Sequence, residues 1–201
     1  MAPAPRIPYN GDATSLAAID GPLMDDALEQ VILVDLDDRE IGRAGKLEAH
    51  RLGQLHRAVS ICVLDSAGRM LLQRRAAGKY HSAGLWANAC CSHPRPDEAT
   101  DAAALRRLPE ELGFSCPLTP FARTHYRADV GSGLIEDELV HLFVGRHQGD
   151  IRPDPAEVSE VAWVAYDDLQ ANIAENPQNY AYWFRHYVAT FGERLFAPLV
   201  G

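Results

Sequence analysis

The sequence predicts an α+β protein: a mixed β-sheet core flanked by helices, preceded by an N-terminal extension. Two observations lead there. Strand-like apolar runs recur along most of the chain while only two longer stretches carry a helical period, and the order lacks the regular strand–helix alternation of a doubly wound parallel sheet. A length of 201 residues with 47% hydrophobic content suits one domain with a full core. Residues 1–20, rich in Ala and Pro, are expected to be a poorly ordered extension, and 21–201 a single domain.

The elements follow in order. A short acidic helix is expected around Pro22 to Gln30. Val31 to Leu36 reads as a strand, and Asp37-Asp38 as a turn into Ile41-Gly42, which makes an opening hairpin. Ala58 to Leu64 and Met70 to Gln73 read as strands joined by Asp65-Ser66-Ala67-Gly68, which has hairpin turn chemistry. Glu98 to Leu112 sets Ala102, Leu105, Leu108 and Leu112 at helical spacing, with Gly113 where a C-terminal cap belongs. Strand signals return at Phe121 to Arg127, Leu139 to Val144 and Val161 to Tyr166. Pro177 to Leu195 carries Tyr180, Phe184, Tyr187, Val188 and Phe191 on a 3.6 period, a second packed helix.

Composition excludes whole classes of function. A net charge of −9, from 19 basic and 28 acidic residues, argues against a protein built to hold a nucleic acid backbone. No apolar run approaches the roughly 20 residues that span a bilayer, so no membrane partner is expected. Four Cys (62, 90, 91 and 116) are too sparse for a stapled scaffold, and two are adjacent; free thiols in a reducing, cytoplasmic setting are expected.

Reactive residues collect in a few places. In Trp86 to Pro94, an extended chain would turn Cys91 and His93 to one face and Cys90 to the other, making Cys91 the site candidate and Cys90 a core residue. The alternative is a pair of buried thiols packing as small hydrophobes. Glu136-Asp137-Glu138 likewise places two glutamates on one face, where a cation or a shared proton would relieve their repulsion, the alternative being a solvated turn. His50 and His56 are candidate ligands for Zn, Mn or Fe, against a plain solvent-facing role. Arg74, Arg75 and Lys79 cluster in one segment, with Lys46 upstream and Arg106-Arg107 on the predicted helix, the expected partners of phosphate oxygens, against an ordinary solvated charged loop.

Ser92 to Phe114 resembles the Nudix signature, with Glu98, Arg106, Glu110, Glu111 and Gly113 at its spacing. Ser92 replaces the leading Gly and Arg107 replaces the Glu after the Arg, and that lost acid argues against ordinary diphosphate hydrolysis. With LWANACCSHP, KLEAH, QRRAAGK and GLIEDE, the stretch from about Val31 to about Phe196 resembles the type 1 isopentenyl-diphosphate isomerases, Nudix-fold enzymes that interconvert isopentenyl and dimethylallyl diphosphates.

The resemblance implies roles residue by residue. Cys91 and Glu138 would flank the substrate double bond, Tyr126 would hydrogen-bond the glutamate, and Trp183 would face the developing cation, against a role in helix packing alone. Glu138 with Tyr126 is read as the forward acid and Cys91 as the base. His50, His56, His93, Glu136 and Glu138 would hold a divalent metal (Mn, Zn or Mg), Glu111 a separate Mg arriving with the diphosphate, and Lys46, Arg75, Lys79 and Arg107 the diphosphate itself. The partner expected is thus a small-molecule diphosphate, bound by a monomer or homodimer. A Nudix hydrolase of a nucleoside diphosphate derivative is the first alternative, and a non-catalytic metal-binding domain the second. Pro109, inside the predicted helix, is expected to kink it between Arg107 and Glu111 and so to weaken the Mg site.

Overall fold

Alternation along β3 (His56–Leu64) organises the molecule. In the computed structural model, which describes residues 29–197, this strand is covered on both faces, which is why Ala58 to Leu64 reads as an apolar run broken only by Ser60. It pairs in parallel with β8 (Leu134–Arg146) over nine register steps, from His56↔Glu138 to Leu64↔Arg146. On its other side β6 (Cys90–Ser92) runs antiparallel, with Ser60↔Cys91 in register. Around them lie β1 (Gln30–Val34), β2 (Glu40–Gly45), β4 (Met70–Arg75), β5 (Trp86–Asn88), β7 (Leu118–Gly131) and β9 (Val158–Val164), completing a nine-stranded mixed sheet among the described residues.

One face carries Ala58, Cys62, Val140 and Leu142 under Trp183, Phe184 and Tyr187 of α4 (Tyr182–Phe191). The other carries Val59, Ile61, Cys90 and Phe143 under Ala103, Ala104, Leu108 and Leu112 of α2 (Thr100–Leu112). The mixed sheet between helices is the predicted α+β class. The extension 1–20 lies outside the described residues, and the helix expected over Pro22 to Gln30 falls almost wholly outside them; Gln30 already belongs to β1.

Three differences from the sequence reading have physical causes. Lys46–Leu52 is a helix, α1, although it has only seven residues and no side-chain cap. Its end is set by Gly53 at φ +57°, where a Cβ would come within 2.8 Å of the Arg127 guanidinium, and by burial of Ala49 and His50 beneath it. The stretch predicted as one helix from Pro177 is broken into 3₁₀ turns at Pro177–Asn179 and Gly192–Phe196 around α4, because the Trp86 carbonyl accepts the Ala181 N–H and draws the chain against β5. Tyr166, expected to end a strand, instead opens α3 (Tyr166–Glu175).

On α2, the apolar stripe is rotated from the expected one. Ala102 and Leu105 are exposed, and Ala103, Ala104, Leu108, Glu111 and Leu112 are buried. The rotation turns Arg107 and Glu111 toward the interior. Pro109 does not interrupt the helix, which continues to Leu112, and the Arg107–Glu111 ion pair spans the proline at 2.8 Å with i,i+4 spacing. Whatever bend Pro109 introduces at the expected kink leaves Arg107 and Glu111 paired across it. Proline cannot donate to the carbonyl four residues back, and Leu105 lies on the solvent side, where water can serve it.

Candidate active site

A cavity of about 670 Å³ opens where β3, β6 and β8 meet α1, α2 and α4. Strand alternation delivers its side chains. Glu136 and Glu138 line it while Asp137, between them, points away and pairs with His125 at 2.7 Å and Arg127 at 3.2 Å. Cys91 and His93 line it while Cys90 sits fully buried in the core under α2. Tyr126 stands opposite Glu138 in the β7–β8 register, and Trp183 enters from α4.

The two carboxylates are joined through Tyr126. Its hydroxyl lies 2.8 Å from Glu138 Oε2 and 3.0 Å from Glu136 Oε2, and one O–H can donate to only one of them. Burial and the Glu138 charge push Glu136 well above the usual carboxylate range, so it carries the proton that completes the second contact. Burial opposes ionisation of Glu138 too, but the His56 and His93 imidazoles set against it outweigh burial and hold that carboxyl low. This is the shared proton that two glutamates on one face require.

Behind the cavity wall, His50 and His56 are fully buried. His50 Nδ1 donates to the Lys46 carbonyl at 2.7 Å, one helical turn back, and His56 Nδ1 to the Gln54 carbonyl at 2.8 Å. Each ring is thereby fixed with its Nε2 lone pair facing inward. His50 Nε2 is buried without a hydrogen-bond partner, and His56 Nε2 faces His93 Nε2 at 3.2 Å. Burial lowers His50 to about 4 and also lowers His93, so both rings are neutral donors. Together with Glu138, they place four donor atoms within 4.8 Å of one another. Converging neutral imidazoles with an orphaned lone pair and a carboxylate fit a divalent transition metal. Glu136, expected in the same set, instead groups with His50 and His81.

The basic residues divide by strand face. Lys46, Arg75, Lys79 and Arg107 all line the cavity, whereas Arg74, on the opposite face of β4, reaches the Gly84 carbonyl, and Arg106 forks onto Glu98 at 2.7 and 2.8 Å. Three of the four meet an acid: Lys46 meets Glu29 at 2.7 Å, Lys79 meets Glu157 at 2.5 Å, and Arg107 spans Glu110, Glu111 and Glu157 at 2.8 to 3.2 Å. Arg75 lies 5.2 Å over the Trp183 ring, with its Nε buried and unpartnered. Glu111 is buried, raised by desolvation against the pull of Arg107, and accepts from Gln73 Nε2 at 3.3 Å.

Sequence reasoning missed His81, Tyr80, Glu157 and Tyr187, which line the same cavity. His81 follows Lys79 by two positions, and a fourth imidazole beside the basic segment was the available signal.

Cys91 is held rather than activated. Its Sγ lies 3.0 Å from Ser60 Oγ and donates to Asn88 Oδ1 at 3.2 Å. Burial pushes the thiol up to about 12, so it keeps its proton at neutral pH. Below that value the thiolate fraction rises about tenfold per pH unit, and alkylation of Cys91 by iodoacetamide is expected to accelerate steadily from pH 7 to 10. Peptide mapping of the labelled site checks this; a plateau near pH 8 to 9 would contradict it.

The sequence and the fold have counterparts among known proteins. The NUDIX domain family matches residues 54–187. An isopentenyl-diphosphate Delta-isomerase 1 of Aromatoleum aromaticum is 54% identical over 155 residues, 77% of this chain and 88% of that protein. An isopentenyl-diphosphate Delta-isomerase of Burkholderia multivorans is 51% identical over 164 residues, 82% of this chain and 93% of its own. A crystal structure of a Deinococcus radiodurans protein shares the fold with a TM-score of 0.62 at 20% identity, covering 73% of this chain and 90% of that one. At this identity and coverage, the chain belongs to the isopentenyl-diphosphate Delta-isomerase family within the NUDIX domain proteins.

Proposed function

We propose that the chain interconverts isopentenyl diphosphate and dimethylallyl diphosphate by adding a proton at one carbon of the alkene unit and removing one from another. The observation that carries this reading is one cavity lined by two proton-transfer units, Cys91 and the Glu138–Tyr126 pair, and by four basic side chains. Cys91 and Glu138 sit on the strands flanking β3 on its two sides, and Tyr126 on β7 beyond β8. In the forward direction the alkene electron pair takes a proton at the terminal carbon, a tertiary cation forms, and loss of an allylic proton restores the double bond.

Lys46, Arg75, Lys79 and Arg107 receive the diphosphate, which takes over contacts now made by Glu29, Glu110 and Glu157. We assign Glu111 to an Mg2+ ion that travels with the substrate. We assign His50, His56, His93, Glu136 and Glu138 to a second divalent ion, Mn2+, Zn2+ or Mg2+, which would supply fixed positive charge beside the glutamates. Cys91 at rest is a thiol. Acting as the forward base requires its thiolate, so the reverse direction, in which Cys91 donates, starts from the resting state.

No helix among the described residues is long and apolar enough to cross a membrane, and Cys62, Cys90, Cys91 and Cys116 are all unbridged. These support placement in the cytoplasm. Arg107 speaks against the hydrolase alternative, since it puts a base where that chemistry uses an acid.

The test is an NMR time course of the protein with Mg2+ and isopentenyl diphosphate in heavy water. Deuterated dimethylallyl diphosphate without free phosphate is expected. Free phosphate, or unchanged substrate, overturns the proposal.

Trp183 separates a cation-stabilising ring from a packing residue. It is 2% exposed, packs in the core and lines the cavity. Trp183→Phe is expected to retain more turnover than Trp183→Leu, because only Phe keeps a π face. Equal losses in kcat would favour packing.

A further inference from the structure

Two groups of ligand side chains meet at one atom. His50, His56, His93 and Glu138 form the first, and His50, His81 and Glu136 the second, the donor atoms of each lying within 4.8 Å of one another. Because His50 Nδ1 is engaged by the Lys46 carbonyl, only Nε2 remains, buried and without a hydrogen-bond partner. One lone pair serves one ion, so the two groups cannot hold separate ions through His50 at the same time.

His81 occupies the position that makes this consequential. It is 8% exposed, on the loop between β4 and β5, with its ring stacked on His50 at 5.7 Å between centroids. Its Nε2 lies 3.4 Å from Glu136 Oε1, and its Nδ1 lies 3.2 Å from Ser82 Oγ. With Nδ1–H given to Ser82, Nε2 turns a lone pair inward, in the same state as His50 and His56. The following residue, Ser82, takes φ +52°, a left-handed conformation that a non-glycine residue holds only where its surroundings impose it. Ligand atoms about 2.1 Å from one ion and at right angles to one another are about 3 Å apart. The His81–Glu136 separation falls near that value, as do His56–His93 at 3.2 Å and His93–Glu138 at 3.0 Å.

We propose that His81 is itself a ligand of this centre through Nε2, so that the chain offers four imidazoles and two carboxylates to one divalent ion. The inference rests on the reading of the centre as a metal site and adds to it a donor outside the family-implied set. It also gives Glu136 a partner that brings it to the ion, since Glu136 does not group with His56, His93 and Glu138.

The test uses the full chain loaded with Zn2+. Zinc-edge X-ray absorption is expected to count four imidazoles in the wild type and three in His81→Ala and His81→Gln. Competition with a chelator should show Zn2+ affinity falling more than about 100-fold in both, beyond the cost of losing an outer-shell partner. Exogenous imidazole should restore affinity to His81→Ala. Three imidazoles in the wild type, or unchanged affinity in the variants, overturns the proposal. So does weaker binding at a constant imidazole count, which would make His81 a positioning residue for Glu136. His50→Ala, measured in parallel, distinguishes the two failures: if the wild type takes up no ion and His50→Ala changes nothing, the metal reading itself falls.

Discussion

Cys91→Ala is expected to lower kcat by about 10²–10⁴-fold, the range general acid–base groups supply, with thermal stability close to wild type. The side chain is partly exposed at the cavity, and its removal leaves Ser60 and Asn88 bonded to each other, because Asn88 Nδ2 already donates to Ser60 Oγ at 3.1 Å. Little structural cost should follow. Cys90→Ala provides the control. Cys90 is fully buried between β3 and α2, so the same deletion should cost about 1 kcal/mol of stability and leave turnover nearly intact. Steady-state kinetics and thermal denaturation of both variants check the pair. Near-wild-type turnover in Cys91→Ala would remove the central chemical claim.

The contrast between these two neighbouring thiols was legible before any coordinates, because side chains alternate along an extended segment and only Cys91 shares a face with His93. The same rule separated Glu136 and Glu138 from Asp137. Alternation is a local property, carried by covalent geometry. The partnership of His56 with Glu138 was not legible that way, since it depends on the parallel register of β3 and β8 across more than 80 residues of chain. Glu157 escaped notice for the same reason: it reaches Lys79 and Arg107 only once β9 has paired with β4.

Short elements were the other blind spot. α1 has seven residues, too few for its own hydrogen bonds to stabilise it, and it persists because Gly53 ends it and His50 and Ala49 are packed beneath. A period cannot be read from fewer than two turns. On α2 the period was read correctly but the buried face was not, because sequence hydrophobicity cannot foresee that Glu111 is buried against Arg107 and Gln73. The helix face is chosen by the site as much as by the core.

Glu138→Gln is expected to be the more severe lesion. The substitution keeps shape and volume but removes the charge that accepts from Tyr126 at 2.8 Å and stands 3.0 Å from His93 Nε2 and 3.5 Å from His56 Nε2. A carboxamide can still accept from Tyr126 with its oxygen and turn its N–H₂ to the imidazoles, but it offers no anionic oxygen to a proton or a metal on that side. Turnover should fall by at least about 10³-fold, because a proton-transfer group and a metal ligand are lost together, and Zn2+ affinity should fall with it. Stability should not follow the same course. Glu136 already carries a proton, so Glu138 is the one buried charge of the pair, and a neutral carboxamide of the same shape removes its desolvation cost while giving up the contacts that favour the charge, two opposing effects. The metal-free variant should therefore melt close to the wild-type temperature, while the stabilisation that Zn2+ confers on the wild type should be largely absent. Melting curves with and without Zn2+, set beside kcat, decide this: a variant within tenfold of wild-type turnover would take Glu138 out of the chemistry, and undiminished Zn2+ stabilisation would take it out of the metal centre.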